Sequence, residues 1–297
     1  MTFVRGQSLE RRAQSLATGL VLPTWSLLVL VFALPLLMAV YLSVRNEQIG
    51  GFIPAAFVGI ENFRSELSSP IFWEAFRTTL IIMVFGLVLQ VPVGLGLALA
   101  LYQQLRGTRF FRSALLIPML LTPVAVGLMW RFMFDTDLGV INWLLESTGF
   151  SAKNWLGMRW PAIWAVALVD SWQSIPFVML MCIAGLAGLP SGPLEAARID
   201  GASAWQSFWH VVLPMLRPVL LVTLMIRVID TFKLFDLLFI MTNRGGPGTA
   251  TQTLGMLTYN TGFTFLAISR AAALGLSLVI ISLPIYILWR SASGGRR

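Results

Sequence analysis

Long apolar runs, almost free of charge, narrow the fold of this chain more than anything else in it. A helix rises about 1.5 Å per residue, so about 20 consecutive apolar residues cross roughly 30 Å of hydrocarbon. Six stretches have that length: Leu20–Val44, Thr78–Tyr102, Ala114–Phe134, Pro161–Leu186, Pro218–Met241 and Ala271–Trp289. Inside hydrocarbon the backbone must pair within its own segment, which for such runs means helix. The chain is therefore read as an all-α integral membrane protein with six transmembrane helices. The expected division is a tail 1–19, a transmembrane domain 20–289 and a tail 290–297.

Charged residues are 11% of the chain, against about a quarter in soluble domains, and they gather between the runs. The net charge of +8 does not point to nucleic acid, because the basic residues sit in short groups beside apolar runs, where they set topology. One face collects Arg5, Arg11, Arg12, Arg106, Arg109, Arg112, Arg198, Arg217, Arg290, Arg296 and Arg297. The other holds Arg45, Arg64, Lys153, Arg159 and Arg244, with Arg77, Arg131 and Arg270 at span edges. The richer face is expected in the cytoplasm, and with it both termini. The first run is too long for a cleaved leader and is read as a retained span.

The outer loops, Arg45–Arg77, Asp135–Trp160 and Thr242–Arg270, are too short for independent domains. Trp143, Trp155 and Trp160 read as anchors at the membrane interface. Gly245 to Gly248 read as a turn, and Pro92, Pro118, Pro123 and Pro176 as tolerated kinks within spans.

Much chemistry is excluded. A phosphate-binding loop needs a lysine after a glycine, and Lys153 and Lys233, the two lysines, lack one. Cys182 is a single cysteine in an apolar run and His210 a single histidine, so neither a disulfide framework nor a metal site is expected.

One polar stretch interrupts the apolar pattern. It runs from Ser191 to Pro214, between the fourth and fifth runs. Ser191 suits a cap, Pro193 a first turn, and Glu195 the positive end of a helix dipole. Gly201 breaks that helix; Ser203 with Gln206 forms a capping box for a second one, which Pro214 limits. The result is a helix, a bend and a helix, shaped for docking.

Charges at membrane depth are costly and mark function. Arg227 and Asp170 fall near the midplane, counted from opposite ends of their runs. Ser174 and Phe177 share a helical face with Asp170, while Asp230 and Thr231 flank Arg227. Together with Gln173 and Trp130 they are candidates to line a path for a polar solute. A bland reading stands beside it: Arg227 with Asp230, and Lys233 with Asp236, as neutralising pairs on one helix. The lining role is preferred for Asp170 and Arg227, the pairing role for Lys233 and Asp236. An anionic group on the solute would suit Arg227.

Glu195-Ala196-Ala197, then Asp200-Gly201, then Val211-x-Leu213-Pro214 resembles the EAA loop of binding-protein-dependent ABC importer permeases. Arg198 through Ser203 is similar to the carbohydrate-uptake branch in particular. So are Phe57–Phe63, Trp130–Asp137 with Gly139, Asn142 and Leu144, and Gly245–Pro247 with Thr251, Thr253 and Leu254. The set is similar to F-type subunits of maltose permeases, without their large outer domain. Val211 replaces the commoner isoleucine, and Ser269-Arg270-Ala271-Ala272 departs from the usual entry into the last span.

The resemblance implies a type I importer permease fold with a cytoplasmic coupling helix in 191–214. It implies a second homologous permease, two ATPase subunits and an extracytoplasmic binding protein, in a bacterial inner membrane. ATP and magnesium would be held by the ATPases, none by this chain. Glu195, Ala196, Ala197, Asp200, Gly201, Leu213 and Pro214 would carry the ATPase contact. The spans on either side would line the solute site. The alternative class is an ion-coupled secondary transporter using the buried acids.

Overall fold

The computed structural model describes residues 3–48, 50, 56–102 and 107–293. Thirteen helices follow in order among them: α1 Phe3–Ser43, α2 Glu61–Leu67, α3 Pro70–Tyr102, α4 Thr108–Leu120, α5 Pro123–Met133, α6 Val140–Ser147, α7 Arg159–Ala187, α8 Ser191–Ile199, α9 Ala204–Ser207, α10 Leu213–Phe232, α11 Asp236–Met241, α12 Leu254–Tyr259 and α13 Ile268–Ser293. A short antiparallel pair, β1 (Arg45–Asn46) and β2 (Ala56–Phe57), follows α1. Side chains of Arg5, Arg11, Arg12, Arg106, Arg109, Arg290, Arg296 and Arg297 lie outside the described residues.

The chain divides into two compact units. The first comprises residues 1–66 and 261–276. Within it, the buried Asn62 amide donates to the carbonyls of Ser43 and Arg45, at 2.8 and 2.7 Å, and closes the turn after α1. Glu66, almost fully buried, pairs with Arg270 at the start of α13. The second unit comprises residues 67–260 and 277–297. Its centre is α7, half of whose apolar window is buried, and α3 lies along it.

Close approach of α3 and α7 depends on Gly94. A Cβ there would lie 2.7 Å from Cβ of Val178 and 3.1 Å from the backbone nitrogen of Met179. A Cβ at Gly96, one turn face away, meets nothing within 4 Å. Gly94→Val is therefore expected to lower the thermal midpoint by about 5 °C, from about 1–3 kcal/mol of overpacking at 2–4 °C per kcal/mol. Gly96→Val should leave it nearly unchanged when both are followed in detergent by tryptophan fluorescence. Equal midpoints for the two variants would contradict the packing described.

Four helices among the described residues are long and apolar enough to cross a membrane: Val21–Ser43, α3, α7 and the continuous stretch Ala204–Phe232. The pair α4–α5, bent by 93°, brings the number to five, while Ile268–Pro284 is a shorter apolar helix. Among the described residues, the third of the six apolar runs is not one uninterrupted helix. The third run breaks at Leu121 and Thr122, both extended with ψ near 140°, because the Pro123 ring disfavours a helical residue before it. Pro123 then serves as a first-turn residue of α5, with the Thr122 hydroxyl accepting from the Ala125 amide at 3.4 Å.

The fifth run also differs from its expected limits. Pro214 does not stop the helix. A π-turn at Phe208–Val212 leads directly into α10, accommodating the missing proline N–H, so the span starts at Ala204. It ends at Phe232, earlier than expected. The Leu234 carbonyl freed there accepts the Thr253 hydroxyl at 2.9 Å, and Phe235 packs on Tyr259 with ring centroids 4.5 Å apart.

Trp155 is not a lipid anchor. Its indole N–H donates to Asn142 Oδ1 at 2.9 Å and its ring packs on Phe134. The buried Asn142 also donates to the carbonyls of Asp135, Thr136 and Lys153 and accepts from the Lys153 amide, which binds residues 135–155 into one loop. Trp143 and Trp160 are exposed.

Candidate functional site

Two places in the second unit gather the chemistry. The first is the segment between α7 and α10. Pro190, extended at ψ 140°, precedes α8, so Ser191 is the first helical residue rather than a cap and makes no capping bond. The far end of α8 is closed by glycine geometry. Gly201 adopts φ +75°, its amide donates to Arg198 and the Ala202 amide reaches back to Ala197 at 2.9 Å. This paired closure needs a left-handed residue at that position, which glycine adopts without a Cβ penalty. The capping box forms as read: the Gln206 amide donates to the Ser203 hydroxyl at 3.3 Å, and the Ser203 amide to Gln206 Oε1 at 2.8 Å.

The surface of this knob is unevenly distributed. Ala197 is buried toward the chain, whereas Glu195, Ala196, Arg198 and Asp200 are exposed. Ile199 is 87% exposed and Trp205 68% exposed. Large apolar side chains standing in the open beside carboxylates are features of a docking surface. Leu213 turns inward against the cluster around Leu216, and a cleft of about 1210 Å³ runs beside it, lined by Leu95, Leu99, Leu194 and Phe208 among others.

The second place lies among the apolar helices, where α3, α7 and α10 pack together. Arg227 of α10 donates through one terminal nitrogen to both oxygens of Asp170 on α7, at 3.2 and 3.0 Å. Its Nε donates to Gln90 Oε1 on α3 at 2.9 Å. The Gln90 amide nitrogen in turn donates to Asp170 Oδ2 at 3.0 Å. Three helices are thereby joined by one closed polar ring, each member nearly fully buried. A charge-assisted hydrogen bond between a guanidinium and a carboxylate is stronger than one between neutral groups. From Arg227 the chain of charge continues outward: its other terminal nitrogen lies 3.6 Å from Asp230, and Asp230 lies 3.3 Å from Lys233. Lys233 thus pairs with Asp230, not with Asp236 as its spacing invites; Asp230 stands one turn back on the same helix, while Asp236 lies beyond the helix end.

The remaining candidates are dispersed. Gln173 donates to the Leu121 carbonyl at 2.9 Å and so satisfies the break between α4 and α5. The Thr231 hydroxyl is spent on the Arg227 carbonyl of its own helix. Phe177 packs with the cluster around Leu95 and Met179, and Ser174 is almost buried. Trp130 sits edge-on to Trp172 at 5.6 Å, its indole N–H buried and without a partner. Gln90 escaped sequence reasoning. Its signal was present, a lone amide in the middle of the second apolar run, where an unpaired polar group is costly.

At the end of α5 a smaller pocket of about 450 Å³ is lined by Arg131, Asp135, Thr136, Asn154 and Asn243 among others. The backbone N–H groups of Leu138 and Asp137 donate to the Asp135 carboxylate and hold it below the usual carboxylate range.

Comparison with known proteins agrees in kind. The family described as "Binding-protein-dependent transport system inner membrane component" matches residues 90–291. A "Probable ABC transporter permease protein y4oQ" from Sinorhizobium fredii is 35% identical, over 99% of this chain and 96% of that one. The "Trehalose/maltose transport system permease protein MalF" of Thermococcus litoralis is 34% identical over 85% of each. Among solved structures, one subunit of a bacterial ABC transporter involved in the import of the acidic polysaccharide alginate superposes with a TM-score of 0.83. That likeness covers 97% of this chain and 98% of the other at 19% identity, and concerns the fold. With most of its length matched by the family, and by relatives at more than a third identity, the chain belongs to the inner membrane components of binding-protein-dependent transport systems.

Proposed function

We propose that the chain is the permease subunit of an ATP-driven importer for a carbohydrate-type solute, worked by separate ATPase subunits through residues 191–214. The observation that carries this reading is the exposed knob itself, α8 and the Gly201 bend, set between α7 and the apolar stretch that opens with α9. Glu195, Ala196, Asp200 and Gly201 form its outward surface and Ala197, Leu213 and Pro214 its footing. A chain without a phosphate-binding loop needs its nucleotide chemistry from elsewhere, and ATP and magnesium belong to the partners. A second, homologous permease and an extracytoplasmic binding protein complete the unit. The Lys and Arg distribution supports both termini in the cytoplasm. The carbohydrate class is supported by the trehalose/maltose relative and by the branch-specific residues Arg198 to Ser203.

In this reading closure of the ATPase dimer draws the two permeases' knobs together, and the helices attached to them turn the solute path from one side to the other. Reconstitution of the four-part assembly in proteoliposomes provides the test. Maltose or trehalose uptake should require enclosed ATP and the binding protein, and should survive an uncoupler. Uptake that continues without the ATPase subunits and collapses with the uncoupler would instead establish ion-coupled transport.

A further inference from the structure

The cleft of about 1210 Å³ beside the knob is graded from one end to the other. Along α3 its lining runs from Val91 to Tyr102, about 16 Å at 1.5 Å per residue. That is the depth of one leaflet, half of roughly 30 Å of hydrocarbon. Over this depth the walls are apolar, with Val91, Leu95 and Leu99 on α3 and Leu213 and Leu220 on α10. Polarity gathers at one end, where α3 finishes and the 191–207 segment leads into α10. There Tyr102 and Trp209, both exposed, supply the amphipathic rings that favour a membrane–water boundary. Arg198 is the one charged side chain of the lining, and it joins no ion pair among the described residues. Its acidic neighbours Glu195 and Asp200 stand outside the cleft. An apolar helix laid in this cleft would leave the guanidinium without an acceptor, and a polar solute would leave the walls unmatched. An amphiphile with an anionic head and an apolar tail of leaflet depth satisfies both.

We propose that the cleft holds an anionic phospholipid of the cytoplasmic leaflet, one acyl chain between α3 and α10 and the headgroup phosphate on Arg198. From the importer reading above the inference takes only the cytoplasmic side of 191–214, the side on which membranes carry their anionic surface.

The assembled importer is placed in phosphatidylcholine nanodiscs containing a trace of photoactivatable lipid, with a diazirine in one acyl chain. The tracer is phosphatidylglycerol in one sample and phosphatidylcholine in the other, and the label is mapped by peptide. Relative to the rest of the chain, segments 91–102 and 205–220 should take at least about fivefold more phosphatidylglycerol, the attraction of about one arginine for anionic lipid. Arg198→Gln should reduce that preference to about twofold or less. Arg217→Gln removes the same charge from an exposed position on α10 outside the lining, and should keep the preference. Gly96 lines the cleft and a Cβ there meets nothing within 4 Å, so Gly96→Trp fills the space and should abolish the preference independently. The proposal is overturned if both lipids label the two segments equally, if neither labels them, or if Arg198→Gln changes no more than Arg217→Gln. It is also overturned if the preference holds for the permease alone and vanishes in the assembled importer, because a neighbouring subunit then fills the cleft. Uptake measured in parallel separates the two levels. ATP-dependent uptake without lipid preference overturns this inference alone, and uptake independent of ATP overturns the importer reading alone.

Discussion

Gly201→Asp is expected to leave the chain inserted and folded while uptake falls roughly a hundredfold, near the upper end of coupling free energies between sites. Two features of the bend set this expectation. Gly201 holds φ +75°, so a side chain there bears a backbone cost of roughly 1–2 kcal/mol, less for aspartate, which tolerates the left-handed region. A Cβ at that position meets nothing within 4 Å, so the chain itself offers no clash. Any large effect must therefore arise against another molecule. The checks are membrane insertion, thermal midpoint, and the amount of ATPase that co-purifies with a tagged permease. Midpoints within a few degrees of wild type, together with loss of the ATPase from the purified complex, are the expected pair. A variant that transports normally removes the docking role assigned to 191–214.

Breaking the buried ring should have the largest effect on stability. Arg227→Met leaves Asp170 without its cation among apolar helices, which costs about 3–5 kcal/mol in buried ion pairs. At 2–4 °C per kcal/mol the midpoint should fall by about 10 °C, compared at one scan rate. The double variant Arg227→Met with Asp170→Leu removes both charges and should regain most of that loss, as buried pairs replaced by apolar groups of similar size commonly do. Gln90→Leu should cost less than the arginine change, since the Arg227–Asp170 contact survives it. Solute affinity gives the independent reading. If Arg227 acts within the ring, the double variant binds solute as the wild type does. Restored stability with lost solute binding would return Arg227 to the solute path.

How much of this was legible in the chain depended on whether the signal was local. The Gly201 bend and the Ser203–Gln206 box were readable because both are closed by hydrogen bonds within a few residues. The apolar runs announced helices, but their ends followed tertiary partners. Thr253, nineteen residues on, donates its hydroxyl to the carbonyl of Leu234 just past the end of α10, and nothing near Leu234 marks the stop. Pro123 and Pro214 look alike in sequence and act oppositely. The first breaks a span by 93°, and the second is absorbed by a π-turn. The charges within the apolar runs were visible as charges, while their pairing was not. Helical spacing offered Asp230 to Arg227, and the structure gives Arg227 its closer contacts on two other helices, through Asp170 and the unforeseen Gln90. A pairing between helices is set by how they pack, which a one-dimensional pattern of spacing does not contain. For the same reason Gln173, polar and well placed on its helix, proved to be occupied by the broken end of α4.

The ring has a mechanical consequence. Helices α7 and α10 leave the two ends of the 191–207 segment, and Gln90, Asp170 and Arg227 rivet them to each other and to α3 about 25 Å higher, at 1.5 Å per residue from Ala187. Legs fastened at the top cannot splay to absorb a push at the foot. A displacement imposed on that foot is carried up to the ring as the swing of one stiff strut, and the π-turn at Phe208–Val212 is where the strut meets the foot.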